Sequence, residues 1–349
     1  MPTQSARSPL RATARLPLIA AAAAATTLIA TGCGAGTTDT GPGSANGDWT
    51  PVTIEHAFGS TEIDRAPERI VTVGWSDEAT LLELGIVPVG MAASTYGDED
   101  GYLPWDLEKI DELGADKPEL FGADDGIPAE QVANLAPDLI LGVQSGMQES
   151  EYKQLSEIAP TVPYLGEPWM TDWQEQTLAI GEAVGRKDDA QRIVDSTTEY
   201  IAGLAADHPE FEGTTFAMGM PMLDSGSLAF VTEGDQRYEV MKQLGFTPAD
   251  FHDSALSVED GRFYGLLSLE DADQVDADVL VMWFGTEKER GDLDGNDVFS
   301  KIGAVADGGY APFDDDRLSM AFSTPNPLTL PWAMDDVVPM LSAAAKGEA

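Results

Sequence analysis

The chain has 349 residues, 43% of them hydrophobic, enough for a sizeable core and too many for a disordered chain. Its 61 acidic residues against 19 basic ones give a formal net charge of −42, which repels nucleic acid and anionic headgroups and excludes both as partners. The length suits two lobes better than one compact core.

The first predicted element is a leader. Arg7, Arg11 and Arg15 make a basic start with no acidic residue before Asp39. From Leu16 to Ala30 the chain is almost wholly apolar, too short and alanine-rich for a good membrane span, so residues 1–32 read as a signal peptide. Cys33, the chain's only cysteine, follows Gly32 at the end of that run. A lone cysteine has no internal disulfide to form. Its place resembles a bacterial lipobox, in which the cysteine is acylated and becomes the first residue of the mature chain, although Ala30 stands where leucine is usual. Ordinary cleavage nearby, with an incidental cysteine, is the alternative. No Arg-Arg pair supports twin-arginine export. Residues 33–50 are small and polar and read as a flexible tether.

An α/β rhythm follows. Val52 to His56 alternates like an edge strand, and Arg69 to Gly74 is a β-branched run of the buried parallel kind. Asp77 to Leu84 has helical spacing and stops at Gly85, with a strand over Ile86–Met91. Helix Pro128–Leu135, strand Asp138–Val143, helix Glu149–Ile158 and strand Thr161–Leu165 complete a first lobe over 51–170. Residues 171–208 contain no proline before Pro209 and keep a helical period. One continuous helix there would measure about 50 Å at 1.5 Å per residue and would serve as a rod between lobes. Gly181, Gly185 and the run Arg186 to Asp189 are the places where it could break in two.

The second lobe, 209–349, repeats the pattern. Strands are expected over Thr214–Met220, Asp278–Trp283 and Arg317–Phe322. Helices are expected over Tyr238–Leu244, Leu269–Val275, Asp297–Ile302 and Trp332–Ala345. Acidic clusters such as Asp98 to Asp100 and Asp314 to Asp316 read as solvated surface, with attraction of cationic ligands the lesser alternative.

Two segments echo one another without gaps, Ala129 to Leu141 and Leu269 to Val281. Each opens with a glutamate in the first turn of a short helix, Glu130 or Glu270, and eight residues later an aspartate introduces an aliphatic strand. A helix dipole favours negative charge at that place, so simple capping explains each glutamate alone. Recurrence in both halves makes a symmetric docking pair the second reading, and the two are compatible.

The runs Arg69-Ile70-Val71-Thr72-Val73-Gly74-Trp75, Leu82 to Gly90, Ala136 to Leu141, Leu155 to Tyr164 and Asp276 to Val281 resemble a class III solute-binding protein of an ABC importer. That group takes up ferric siderophores, haem and vitamin B12. The resemblance implies two Rossmann-like α/β lobes joined by a single long α-helix, a monomer anchored at Cys33 on the outer face of the cytoplasmic membrane. It also implies that Glu130 and Glu270 pair with arginines of the membrane permease.

In open α/β sheets ligands gather beyond the carboxyl ends of the strands. By that rule the candidate ligand residues are Trp75, Ser76, Tyr96, Ser145, Met147 and Trp169 in the first lobe, and Trp283 and Phe322 in the second. Arg237 and Arg262 are the second-lobe arginines near plausible cleft loops. Aromatics at strand ends suit a bulky, partly apolar ligand, though lobe packing accounts for any one of them. Three scattered histidines make direct metal capture a poor fit, so iron, if carried, arrives chelated and no cofactor is expected. A cleft poor in arginine favours a neutral or cationic hydroxamate chelate over anionic ones. Haem, cobalamin and a ligand-sensing role on the same scaffold stay open. No nucleophile elbow, phosphate loop or zinc motif is present, so the expectation is binding without chemistry.

Overall fold

The computed structural model describes residues 49–95, 100–122, 126–251, 256–258 and 264–349. The leader, Cys33 and nearly all of the tether lie outside these residues. So do Tyr96 and Arg262. Among the described residues no helix is long and apolar enough to cross a membrane.

A hairpin of β1 (Val52–His56) and β2 (Gly59–Ile63) precedes the first sheet. That sheet takes β3 (Ile70–Thr72), β4 (Gly90–Ala92), β5 (Glu119–Phe121), β6 (Leu139–Gly142) and β7 (Thr161–Pro163) in the order β5-β4-β3-β6-β7, with every pair parallel. Central strands β3 and β6 are buried throughout, which is why they are mostly aliphatic and carry no charged residue. Helices α1 (Asp77–Glu83), α2 (Pro104–Leu113), α3 (Ala129–Asn134) and α4 (Glu149–Ser156) make the crossovers.

The second sheet has seven strands. At its centre lie β8 (Thr215–Met222) and β9 (Ser227–Val231), which form a hairpin, and Thr247–Pro248 adds β10 beside the start of β8. Helix α7 (Gln236–Gln243) links β9 to β10. Strands β11 (Ser257–Val258) and β12 (Tyr264–Ser268) extend one edge, and β13 (Val279–Trp283) and β14 (Tyr310–Phe313) extend the other in parallel with β8. Residues Leu269–Gln274 form a 3-10 turn where an α-helix was expected. Then come α8 (Glu287–Asp294), α9 (Gly303–Ala306), α10 (Asp316–Ser323) and α11 (Thr329–Ala345).

Residues 317–322, expected as a strand, are helical. Asp315 caps α10 by accepting the Leu318 N–H at 2.9 Å, and Leu318 to Phe322 are all buried, so their pattern fits a short buried helix as well as a strand.

The helical run between the lobes is carried by two helices, not one: α5 (Trp173–Ala183) and α6 (Lys187–Asp207). Gly185 takes φ +70°, which ends the first helix, and Gly181 gives Ala190 room to pack where the two cross. Asp172 caps α5 by accepting the Glu175 N–H at 2.7 Å. Helix α6 is thus about 30 Å long, roughly 20 residues at 1.5 Å each. It still joins two cores, because Ala190 belongs to the core that holds Ile70, Leu139 and Val162 of the first sheet, while Val194 and Ile201 belong to the core that holds Phe216 and Val279 of the second. A second junction comes from α2, whose Trp105 meets Trp332 of α11 edge to face at 5.1 Å.

Candidate functional site

The echo seen in the sequence has a structural basis in its aspartates. Asp138 accepts the backbone N–H groups of Glu68 and Arg69 at 3.0 and 2.8 Å, at the entrance to β3. Asp278 accepts the backbone N–H and the hydroxyl of Thr215 at 2.8 and 2.7 Å, at the entrance to β8. In each lobe an aspartate therefore pins the amino end of the neighbouring parallel strand. Glu130 and Glu270 are both exposed, each in the first turn of its element, and Ser268 accepts the Glu270 N–H at 3.3 Å.

At the carboxyl edges of the two sheets lies a cavity of about 360 Å³. Trp75 follows β3, Gln144 follows β6 and Trp169 follows β7 on one side. Met220 and Met222 of β8, Tyr264 of β12 and Trp283 of β13 form much of the other. Trp75 is 47% exposed and meets Trp169 edge to face at 5.3 Å. The backbone carries strain just after the first and at the second: Ser76 has φ 64° and Trp169 φ 66°. A side chain in that region costs about 1–2 kcal/mol and persists only where its surroundings impose it. Here they do. The Trp169 N–H donates to the Ser145 carbonyl at 3.0 Å, the Gln144 side chain donates to the Trp169 carbonyl at 3.1 Å, and the indole lies against Gly146, where a Cβ would collide with it.

The charges in the wall nearly balance. Among the described lining residues Arg237 is the one cation, with Asp235 and Asp316 as the two acids. Asp235 grips Arg237 in a fork, with Nε and Nη2 donating at 2.9 and 2.7 Å, and the guanidinium lies 4.6 Å from the centre of the Trp283 ring. Two of its nitrogens are thus spent on a neighbour. Asp316 is exposed and makes no ion pair among the described residues.

Of the residues expected from sequence, Trp75, Trp169, Arg237 and Trp283 come together around the cavity. Ser76, Ser145, Met147 and Phe322 do not line it: all four are buried beneath the wall. The Ser145 hydroxyl donates to the Gly142 carbonyl at 2.6 Å, Met147 packs with Val73 and Leu155, and Phe322 meets Phe313 edge to face at 5.6 Å. Strand-end position marks the right edge of a sheet but not which side of the turn a side chain takes. Gln144, Met220, Met222, Asp235, Tyr264 and Asp316 were missed. The methionines carried a usable signal, because β8 runs two residues past its expected end.

Beneath the wall lies a row of buried acids. Asp77 is fully buried, and burial pushes its carboxyl up to about 6 against hydrogen bonds from Gln176, Gln144 and Val143 that pull the other way. Burial also raises Glu78 and Asp106, which face one another from α1 and α2. Neither Asp106 oxygen has a hydrogen-bond partner among the described residues. Among those residues no group of three or more His, Cys, Asp or Glu is placed to hold a metal ion.

The family described as "Periplasmic binding protein" matches residues 70–309. The Fe(3+)-citrate-binding protein YfmC of Bacillus subtilis (strain 168) is 28% identical over 255 residues, 72% of this chain and 74% of that protein. PiaA of Streptococcus pneumoniae TIGR4, solved in complex with ferrichrome, is 31% identical, with a TM-score of 0.76 over 84% of this chain and 99% of that one. A periplasmic solute-binding protein of Mycobacterium smegmatis is 28% identical, with a TM-score of 0.74 and the same coverage.

Proposed function

The chain belongs to the periplasmic binding protein family, and on that footing we propose that it is the extracytoplasmic substrate-binding lipoprotein of an ABC importer, capturing a ferric siderophore of the hydroxamate type. One observation carries the ligand class: a cavity walled by Trp75, Trp169 and Trp283 whose single cation among the described residues, Arg237, is already paired with Asp235. A tris-hydroxamate ferric chelate is bulky, partly apolar and uncharged. Burying it against indole faces gains apolar contact and asks for no counter-charge. Among the described residues an anionic chelate would meet Asp316, and the one arginine fork in the wall is already engaged by Asp235. The ferrichrome complex of the 31% identical PiaA supports this choice, while the ferric citrate relative stands for the competing one.

In this reading the iron keeps its chelate and the protein performs no chemistry. Lobes spanning about 51–170 and 209–349 close on the ligand about the α5–α6 connector, and the loaded monomer is handed to the permease through Glu130 and Glu270. Acylated Cys33 and the tether that follows hold it at the outer face of the cytoplasmic membrane.

The test is a panel of titrations followed by tryptophan emission: ferrichrome, ferric dicitrate, haem and cobalamin. Ferrichrome is expected to quench saturably. Tighter binding of ferric dicitrate, or a flat response to ferrichrome, overturns the hydroxamate assignment.

A further inference from the structure

Three loops supply the first lobe's side of the cavity; two of them meet at one carboxylate, and Gln144 carries the link to the third. Asp77 Oδ2 accepts the Val143 N–H at 2.8 Å, and Oδ1 accepts the Gln144 N–H at 3.2 Å. The Trp75 N–H donates to the Gln144 carbonyl at 2.8 Å, and the Gln144 side chain donates to the Trp169 carbonyl at 3.1 Å. Position 74 is glycine because a Cβ there would overlap the Asp77 carboxylate. The third partner belongs to the connector: Gln176 of α5 donates through Nε2 to Asp77 Oδ1 at 2.7 Å, with the Trp75 carbonyl and the Ser76 hydroxyl both at 3.4 Å from the same nitrogen.

We propose that Asp77 is a positioning residue for ligand capture: its carboxylate ties the aromatic wall of the cavity to helix α5, and protonating it loosens that wall and weakens binding. The proposal deepens the siderophore reading and rests on it for the identity of the ligand.

The hydrogen-bond inventory supplies the mechanism. An ionised Asp77 only accepts, and its three donors above suit that state. A protonated Asp77 must donate. The acceptor within reach is Gln176 Oε1, buried and without a partner among the described residues. Turning that amide by half a turn satisfies the proton but removes Nε2 from Asp77, Ser76 and the Trp75 carbonyl. Both states hold together, and the Trp75 N–H keeps its bond to Gln144 in each, yet only the ionised one also holds the Trp75 carbonyl and the strained Ser76 beside it through Gln176.

The surroundings leave Asp77 as the group that titrates in mildly acidic solution. From its own helix it faces Glu78, and from α2 Asp106 lies beyond that; both are raised by burial. From α5 it faces the neutral Gln176, with Glu175 the nearest charged residue on that helix, and the loop after β6 presents only backbone N–H groups. The ion pair that α1 makes, Glu83 with Lys109 at 2.9 Å, sits at the helix's other end. If the ligand prefers the ordered wall, binding lowers the Asp77 pKa and expels a proton near pH 6.

Two measurements test this on the mature protein, and the first needs no ligand. Intrinsic tryptophan emission of the wild type, followed from pH 7.5 to 5, should change with a midpoint near 6, and Asp77→Asn should lack that transition. Second, ferrichrome affinity of the wild type should weaken about five- to tenfold over the same range. Asp77→Asn should bind weakly throughout with a flat pH profile, and Gln176→Met should shift or blunt the profile. A merely structural Asp77 would lower the thermal midpoint of Asp77→Asn while leaving the pH dependence intact, and that result overturns the proposal. So does an emission transition shared by Asp77→Asn. Failure of ferrichrome to bind at pH 7.5 would instead strike the ligand assignment, and the emission arm would still decide the role of Asp77.

Discussion

Gly146→Ala should weaken ligand binding by roughly thirtyfold while leaving the fold almost untouched. Gly146 is not at positive φ, so alanine strains no backbone there. The new Cβ would lie 2.7 Å from Cε2 and 3.0 Å from Cζ2 of Trp169, against an ordinary carbon contact of about 3.5–4.0 Å. The indole must therefore retreat by about 1 Å. Its backbone cannot follow, being held at φ 66° by hydrogen bonds to Ser145 and Gln144, so the adjustment falls on the side-chain torsions. An off-rotamer side chain costs about 0.5–1.5 kcal/mol. Losing the edge-to-face partner Trp75 forfeits another ~0.5–1.5 kcal/mol. The ligand seats only against an indole brought back to its original place, so a cost near 2 kcal/mol falls on binding and corresponds to about a thirtyfold change in affinity. The assay is an equilibrium ferrichrome titration beside a thermal melt, with Gly203→Ala as a control, since a Cβ at Gly203 meets nothing within 4 Å. Affinity within twofold of wild type for Gly146→Ala would refute the claim that Trp169 is a fixed wall of the site.

Other expectations follow from the same geometry. Asp106 is fully buried without a hydrogen-bond partner among the described residues, and burial raises its pKa, so the folded protein holds a proton that the unfolded chain gives up in the ordinary carboxylate range. The stability this contributes is present at low pH and is lost as pH rises through the raised folded value; urea midpoints at pH 5 and 8.5 should therefore fall less for Asp106→Asn than for wild type, by about 1–3 kcal/mol. Gly185→Ala forces alanine to φ +70° and drives a methyl into the Trp49 ring, and should lower the thermal midpoint by an amount equivalent to at least ~1 kcal/mol. Replacing both Glu130 and Glu270 by alanine should abolish permease-dependent uptake in cells while ferrichrome affinity of the purified protein stays within twofold. A loss of affinity would move those glutamates from docking to the ligand site.

What the sequence disclosed and what it withheld divide along physical lines. Strands β3 and β6 were legible because a parallel strand buried on both faces is uncharged and largely aliphatic. Helix α10 was misread because Leu318 to Phe322 are buried on every side, and burial on every side erases the period that tells helix from strand. Its one remaining signal, Asp315 as a cap, lay in a run of three aspartates that reads as surface. The connector could be read as helical, and its glycines marked the break. Ala190, however, packs with one core and Val194 with the other, a division that depends on contacts far apart in the chain.

The site shows the same limit more sharply. A rule about strand ends found the three tryptophans, because indoles at the rim of a sheet have few other uses. It could not separate Trp75 from Ser76 next to it, since φ 64° at Ser76 turns one side chain into the cavity and the other under it. Nor could it find Asp77, whose acidity suggests a solvated surface and whose partners stand 66 to 99 residues away in sequence. The repeated aspartates Asp138 and Asp278 connect the two levels. Each anchors the amino end of a central strand, so the level at which that strand ends is set by a hydrogen bond made at its other end. The echo legible in the sequence thus concerns register, while the chemistry of the cavity is written in the less regular residues that such register brings face to face.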